Sequence, residues 1–228
     1  MVKTVFLDLD DTILDFHKAE AGALRRTLLE AGLDAGDAIL ERYHVINKRH
    51  WELLEEGTIT RDQVKRMRFE QLFGEMGVEC DGEAICRAYE KHLSQGHFFI
   101  PGAEALLEAL APKYDLYIAS NGGAKVQNSR LDSAGIRKYF KGQFISEELG
   151  ANKPSREFFE GCFAAIPGFD RETAVMVGDS LTSDIRGGRN VGLRTLWFNP
   201  ERKSAREDIR PDYEFHELSE LPGLLEQI

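Results

Sequence analysis

The N-terminal apolar run Val5-Phe6-Leu7 ends in Asp8-Leu9-Asp10-Asp11-Thr12. In an extended chain alternate side chains share a face, so Asp8 and Asp10 present two carboxylates on one side where a strand passes into its loop. Such a pair is costly unless a cation sits beside it. Mg2+ suits the position, because it takes hard oxygen ligands and usually keeps only one or two protein carboxylates beside water and phosphate oxygens. The plainer account is a strand end whose aspartates cap a turn, and Asp-x-Asp alone leaves both accounts open.

Composition narrows the setting. The 228 residues are 42% hydrophobic and 30% charged, enough for a packed interior, and the formal net charge is −10. That charge argues against a nucleic-acid polymer or an anionic membrane as partner, since either needs clustered cationic surface. A small anionic metabolite stays compatible if positive charge is concentrated locally. Cys80, Cys86 and Cys162 are odd in number and lack paired metal-ligand spacing, so buried free thiols are expected rather than a disulfide framework or zinc site. The first apolar stretch is short and broken by aspartates, and no run of about 18 apolar residues exists, so the chain reads as cytoplasmic.

The elements that must position these carboxylates follow from periodicity. After the first strand, residues 16–95 read as helix after helix. Ala21, Leu24, Leu28 and Ala31 form one stripe, Ile39, Tyr43, Ile46, Trp51 and Leu54 a second. Thr60 opens a third helix with a capping box, and a fourth lies near 82–94. From Pro101 helices and strands alternate, with strands expected at 115–120, 143–146, 174–177 and 194–198, and a short edge at 213–215. The prediction is an α/β fold: a doubly wound parallel sheet from 1–15 and 96–228, with an all-helical cap, 16–95, inserted after the first strand. Ligands on such sheets bind at the strands' carboxyl ends. Asp8 and Asp10, Ser120 and Asn121, and Gly178 and Asp179 should therefore converge on one crevice, with the insert placed to act as a lid.

Four segments in order, Asp8-Leu9-Asp10-Asp11-Thr12, Ser120-Asn121-Gly122, Lys153-Pro154 and Gly178-Asp179-Ser180-Leu181-Thr182-Ser183-Asp184, resemble the motifs of haloacid dehalogenase superfamily hydrolases, the aspartate-nucleophile phosphatases. The resemblance implies a Rossmann-like core and a Mg2+-dependent phosphomonoester hydrolase. Asp8 would attack phosphorus and become a transient aspartyl phosphate, and Asp10 would serve as general acid and base. Asp8, the Asp10 backbone carbonyl and Asp179 would hold Mg2+. Ser120, Asn121 and Lys153 would bind the phosphoryl group, and Asp184 would orient a metal-bound water or Lys153. Roughly four carboxylates and a phosphate dianion sum to about −6, a load that Mg2+ and Lys153 only half cancel and that should keep Asp10 protonated when substrate binds. Taken singly, each segment has a plainer account: a turn at 120–122, a surface lysine before a helix-starting proline, and helix-capping carboxylates at Asp179 and Asp184.

Finer similarity lies in Val45-Ile46-Asn47-Lys48-Arg49-His50-Trp51, Gly57-Thr58-Ile59-Thr60 and Arg68-Phe69-Glu70, which are similar to the helical cap of noncanonical pyrimidine nucleotidases. This implies a 5'-nucleotidase acting on UMP, dUMP or dTMP. Phe16, Asn47, Trp51, Arg68 and Phe69 have chemistry suited to a base, although Trp51 and Phe69 at helical spacing more often build a core. A sugar-phosphate phosphatase of the acylneuraminate phosphate type is the alternative, and a noncatalytic phospho-ligand binding protein is the alternative of another class. The chain is expected to work as a monomer or homodimer.

Overall fold

In the computed structural model every residue except Cys80 is described. The chain divides into two units, residues 1–15 with 99–228, and residues 16–98. The first contains six parallel strands, β1 (Thr4–Leu7), β2 (Asp115–Ser120), β3 (Gly142–Ile145), β4 (Ala174–Gly178), β5 (Arg194–Phe198) and β6 (Tyr213–Phe215), in the order β3-β2-β1-β4-β5-β6. The predicted α/β class and doubly wound sheet are present. β1 is central, and strand order runs outward from it in both directions, which places the topological switch point at its carboxyl end.

Helices cover both faces. Val5 and Leu7 pack with α5 (Ala103–Leu110) and α10 (Leu221–Gln227), whereas Phe6 points into the aromatic layer of α8 (Arg156–Ala165). There its ring lies 5.9–6.2 Å from Tyr117, Phe144, Phe163 and Phe169, each such pair adding about 0.5–1.5 kcal/mol beyond area burial. α9 (Arg186–Asn190) lies so close to the sheet that a Cβ on Gly188 would stand 2.7 Å from Thr195 Cγ2 and 3.1 Å from Met176 Cβ. Only glycine permits that approach.

Among the described residues the second unit has four helices, α1 (Phe16–Glu30), α2 (Asp37–Glu55), α3 (Arg61–Met76) and α4 (Gly82–Leu93). The capping box at Thr60 is formed, with Gln63 N donating to its hydroxyl and Gln63 Oε1 accepting from Thr60 N. Tyr43 stacks on Phe69 at 5.3 Å, and Tyr89 meets both edge-on. Phe69 is therefore core, while Trp51 is half-buried beside the Arg61 guanidinium.

The units divide between residues 98 and 99, three residues beyond the expected 95/96 boundary. Gln95 accepts from Arg26, Gly96 rests against Ala19, and Phe98 lies under the Lys18 ammonium, which hold 95–98 to α1. Phe99 instead pairs with Leu14, and Ile100 N donates to Ile13 O at 3.0 Å, so the chain rejoins the sheet unit there. Cys86 and Cys162 are buried and form no disulfide; Cys80 lies outside the described residues. Among the described residues no helix is long and apolar enough to cross a membrane.

Candidate active site

The loop after β1 is pinned to the neighbouring strands. Asp8 N donates to Val177 O at 2.9 Å, extending the β1/β4 ladder by one residue. Asp179 N donates to Thr12 Oγ1 at 3.1 Å, and Trp197 Nε1 on β5 donates to Asp179 O at 2.7 Å. Between these ties the chain turns back through Asp11, whose φ of 57° lies in the left-handed region that aspartate tolerates better than most residues. Asp8 is thereby held rigidly at the switch point.

Lys153 is only 1% exposed, and its ammonium donates to Asp8 Oδ1 at 2.6 Å, Asp184 Oδ1 at 2.7 Å and Ala119 O at 2.6 Å. An ammonium has three protons, and all are used. Desolvation pushes the Asp8 carboxyl well above the usual range; Lys153 opposes this, while Asp184 and Asp10 add to it. Asp179 is driven up in the same way, first by desolvation and then by Asp11, Asp8 and Asp184. Burial alone would lower the Lys153 pKa, but Asp184 and Asp8 outweigh it and raise it. The lysine is thus a fixed charge, and the carboxylates still exceed it.

One oxygen each from Asp8, Asp179 and Asp184 lies within 4.8 Å of the others. An all-oxygen donor set carrying surplus negative charge fits a hard divalent cation such as Mg2+. Asp184 is set by three contacts, to Lys153 as above, from Ser180 N to its Oδ2 at 3.1 Å, and from Ser183 Oγ at 3.4 Å. A Cβ on Gly178 would overlap its carboxylate, so glycine at the end of β4 is a spatial requirement. The capping role open to Asp179 and Asp184 falls to Ser180, which accepts from Ser183 N at the start of a π-helical turn, Leu181–Ile185. Lys153 is no surface lysine, and α8 begins after Ser155 rather than at Pro154.

Ser120 Oγ accepts from Gly122 N at 3.0 Å and Gln127 Nε2 at 2.8 Å, which uses both its lone pairs and leaves its O–H to donate. Asn121 grips the Lys153 backbone at both ends, its Nδ2 donating to Lys153 O at 2.9 Å and its Oδ1 accepting from Lys153 N at 2.8 Å. That contact positions the lysine loop.

Residues 2–192 match the family model for haloacid dehalogenase-like hydrolases. The chain belongs to this family. It is 41% identical over 223 residues, 98% of its own length and 95% of the other's, to the HAD-hydrolase YfnB of Bacillus subtilis. It is 38% identical to the pyrimidine 5'-nucleotidase PynA of Streptococcus pneumoniae, covering 99% and 95% of the two chains, and 33% identical to the pyrimidine 5'-nucleotidase YjjG of Escherichia coli, covering 97% and 96%. The crystal structure of YfnB superposes with a TM-score of 0.94 over 98% of each chain.

Two residues of this hydrolase escaped the sequence reading. Asp10 Oδ2 accepts from Gln127 Nε2 at 2.6 Å, and its Oδ1 pairs with Arg130 Nη1; both donors sit on α6 (Ala124–Ser133), which follows the 120–122 turn. Arg130 is fully buried and also donates to Gln127 Oε1 at 2.9 Å. The available signal was a glutamine and an arginine at i,i+3 spacing on the same face as Val126 and Leu131, polar groups where an apolar stripe belongs. They aim the Asp10 carboxylate. Gln127→Leu should lower kcat by on the order of 10²-fold while the fold persists, as misplacing a catalytic group by about 1 Å does; steady-state kinetics beside a denaturation curve checks this.

Proposed function

We propose that the chain is a Mg2+-dependent phosphomonoester hydrolase working through an aspartyl phosphate on Asp8, with pyrimidine nucleoside 5'-monophosphates such as UMP, dUMP and dTMP as substrates. The observation that carries the reading is Asp8 fixed at the switch point by Lys153, with Asp10 two residues away and held by separate donors. Asp8, Asp179 and the Asp10 carbonyl would hold the metal, which supplies neutralising charge for the phosphoryl oxygens. The YfnB crystal structure, described as bound to magnesium, supports that choice of ion.

Asp8 attacks phosphorus in line with the ester oxygen. Lys153 compensates the charge that this brings together, and the Ser120 O–H donates to a phosphoryl oxygen. Asp10 passes a proton to the departing alkoxide and recovers one from the water that cleaves the acyl phosphate, a contribution of roughly 10²–10⁴ in rate. Gln127 and Arg130 each take one lone pair of an Asp10 oxygen, which leaves a second pair on each oxygen to carry the proton. Attack by water at phosphorus then regenerates Asp8 and releases phosphate.

The substrate class rests on the pyrimidine 5'-nucleotidases PynA and YjjG, which match nearly the whole chain. Phosphate release from UMP, dUMP, dTMP, purine monophosphates and sugar phosphates, with Mg2+ and with chelator, tests it. The pyrimidine esters should turn over fastest and chelator should stop them. Preference for a sugar phosphate would overturn the substrate class, and inertness on every ester would favour a binding protein.

A further inference from the structure

A second group of converging ligand atoms lies wholly within the helical unit. His17 and Glu20 stand at i,i+3 on α1, and His44 faces them from α2. His44 Nδ1 is 2.7 Å from Glu20 Oε2 and 3.2 Å from His17 Nδ1, and one ligand atom from each residue lies within 4.8 Å of the others. These distances set a proton-counting problem. A ring nitrogen carries at most one proton, so if His44 Nδ1–H is donated to Glu20 that nitrogen has neither lone pair nor second proton for His17. Protonating both rings would set two N–H groups head to head. The helical unit thus brings three ligand atoms to one place.

We propose that His17, Glu20 and His44 bind a divalent transition-metal ion of the Zn2+ class. A central cation uses all three lone pairs at once. The 3.2 Å nitrogen separation is close to the edge of a tetrahedron with Zn–N bonds of about 2.0–2.1 Å, about 3.3 Å, whereas the 2.7 Å separation of His44 Nδ1 from Glu20 Oε2 is shorter and would widen as the ion enters. Two imidazoles and one carboxylate suit Zn2+ and its first-row neighbours and are a poor set for Mg2+. The surrounding contacts are those that orient metal ligands: Asn47 Nδ2 donates to Glu20 Oε1 at 2.6 Å, Arg68 Nη1 donates to Asn47 Oδ1 at 3.0 Å, and Glu41 lies 3.7 Å from His17 Nε2. Glu20 is buried at the base, while the His17 side chain is 47% exposed and the His44 side chain 31%. Three protein ligands with one solvent-facing side leave a fourth position for water or an exogenous group. The ion ties α1 to α2.

Zn2+ binding to the whole protein, measured by equilibrium dialysis in excess Mg2+ so that the carboxylate site is competed, tests this. Wild type should bind one tight equivalent, and Co2+ in its place should give a visible absorption band of low-symmetry coordination. His17→Gln and His44→Gln should each weaken binding by at least the roughly 10–100-fold that loss of an outer partner costs, and abolish the band. His17 is exposed, so His17→Gln should melt like wild type without metal. Equal Zn2+ affinity in wild type and both variants, or no tight equivalent in wild type, would overturn the proposal.

Discussion

Asp8→Asn should remain folded and lose phosphate release by on the order of 10⁴- to 10⁶-fold, the range seen when the central group of a cooperating catalytic set is removed. Asparagine keeps the shape and one oxygen that can accept from Lys153 at the 2.6 Å position, so packing around the loop persists. What disappears is the anion proposed as nucleophile. Burial already presses the Asp8 carboxyl toward its neutral form, so replacing it with a neutral amide removes a strained charge and leaves thermal stability near that of wild type. KM should change far less than kcat, because Ser120 and Lys153 remain to hold the phosphate. Comparable losses in stability and activity would instead mark Asp8 as structural.

Lys153→Met has the second large effect, and it falls on stability as well as rate. Each of the three lysine protons has a buried acceptor in Asp8, Asp184 or Ala119 O. Methionine fills most of the volume but leaves two buried carboxylates facing each other without a cation. Removing one side of a buried ion pair costs about 3–5 kcal/mol, which urea denaturation would read as an earlier midpoint with unchanged slope. Asp8, already pushed up by burial, then relieves the repulsion by taking up a proton, which also neutralises the proposed nucleophile. Activity should fall with Asp8→Asn, and adding Asp184→Asn to Lys153→Met should recover stability without recovering turnover. If Lys153→Met were as stable as wild type, the lysine would not be balancing the carboxylates.

Much of the fold and several positions at the switch point were legible because they follow from order along the chain. A strand that ends in Asp8, a second ending in Ser120 and a third ending in Gly178 must bring those residues to one edge once the sheet is parallel. Lys153 and Asp184 were legible through motif resemblance. Partners from other elements were harder to see. Gln127 and Arg130 sit inside an ordinary helix, and nothing local to α6 says that their amide and guanidinium aim at a residue more than a hundred positions earlier. The Asn121 amide likewise resembles a turn residue until the loop carrying Lys153 lies against it. The insert boundary slipped by three residues because Gly96 and Phe98 follow α1, a contact that periodicity cannot register.

The most direct measurement is to trap the covalent intermediate. Wild type mixed with UMP and Mg2+, quenched in acid during turnover, should gain the mass of one phosphoryl group on the peptide containing Asp8. Asp10→Asn, deprived of the acid for one step and the base for the other, should both gain and lose that group more slowly than wild type. Asp8→Asn should carry none. A phosphoryl group found on another residue, or turnover in Asp8→Asn at a rate near that of wild type, would contradict attack by Asp8 and with it the chemistry assigned to this site.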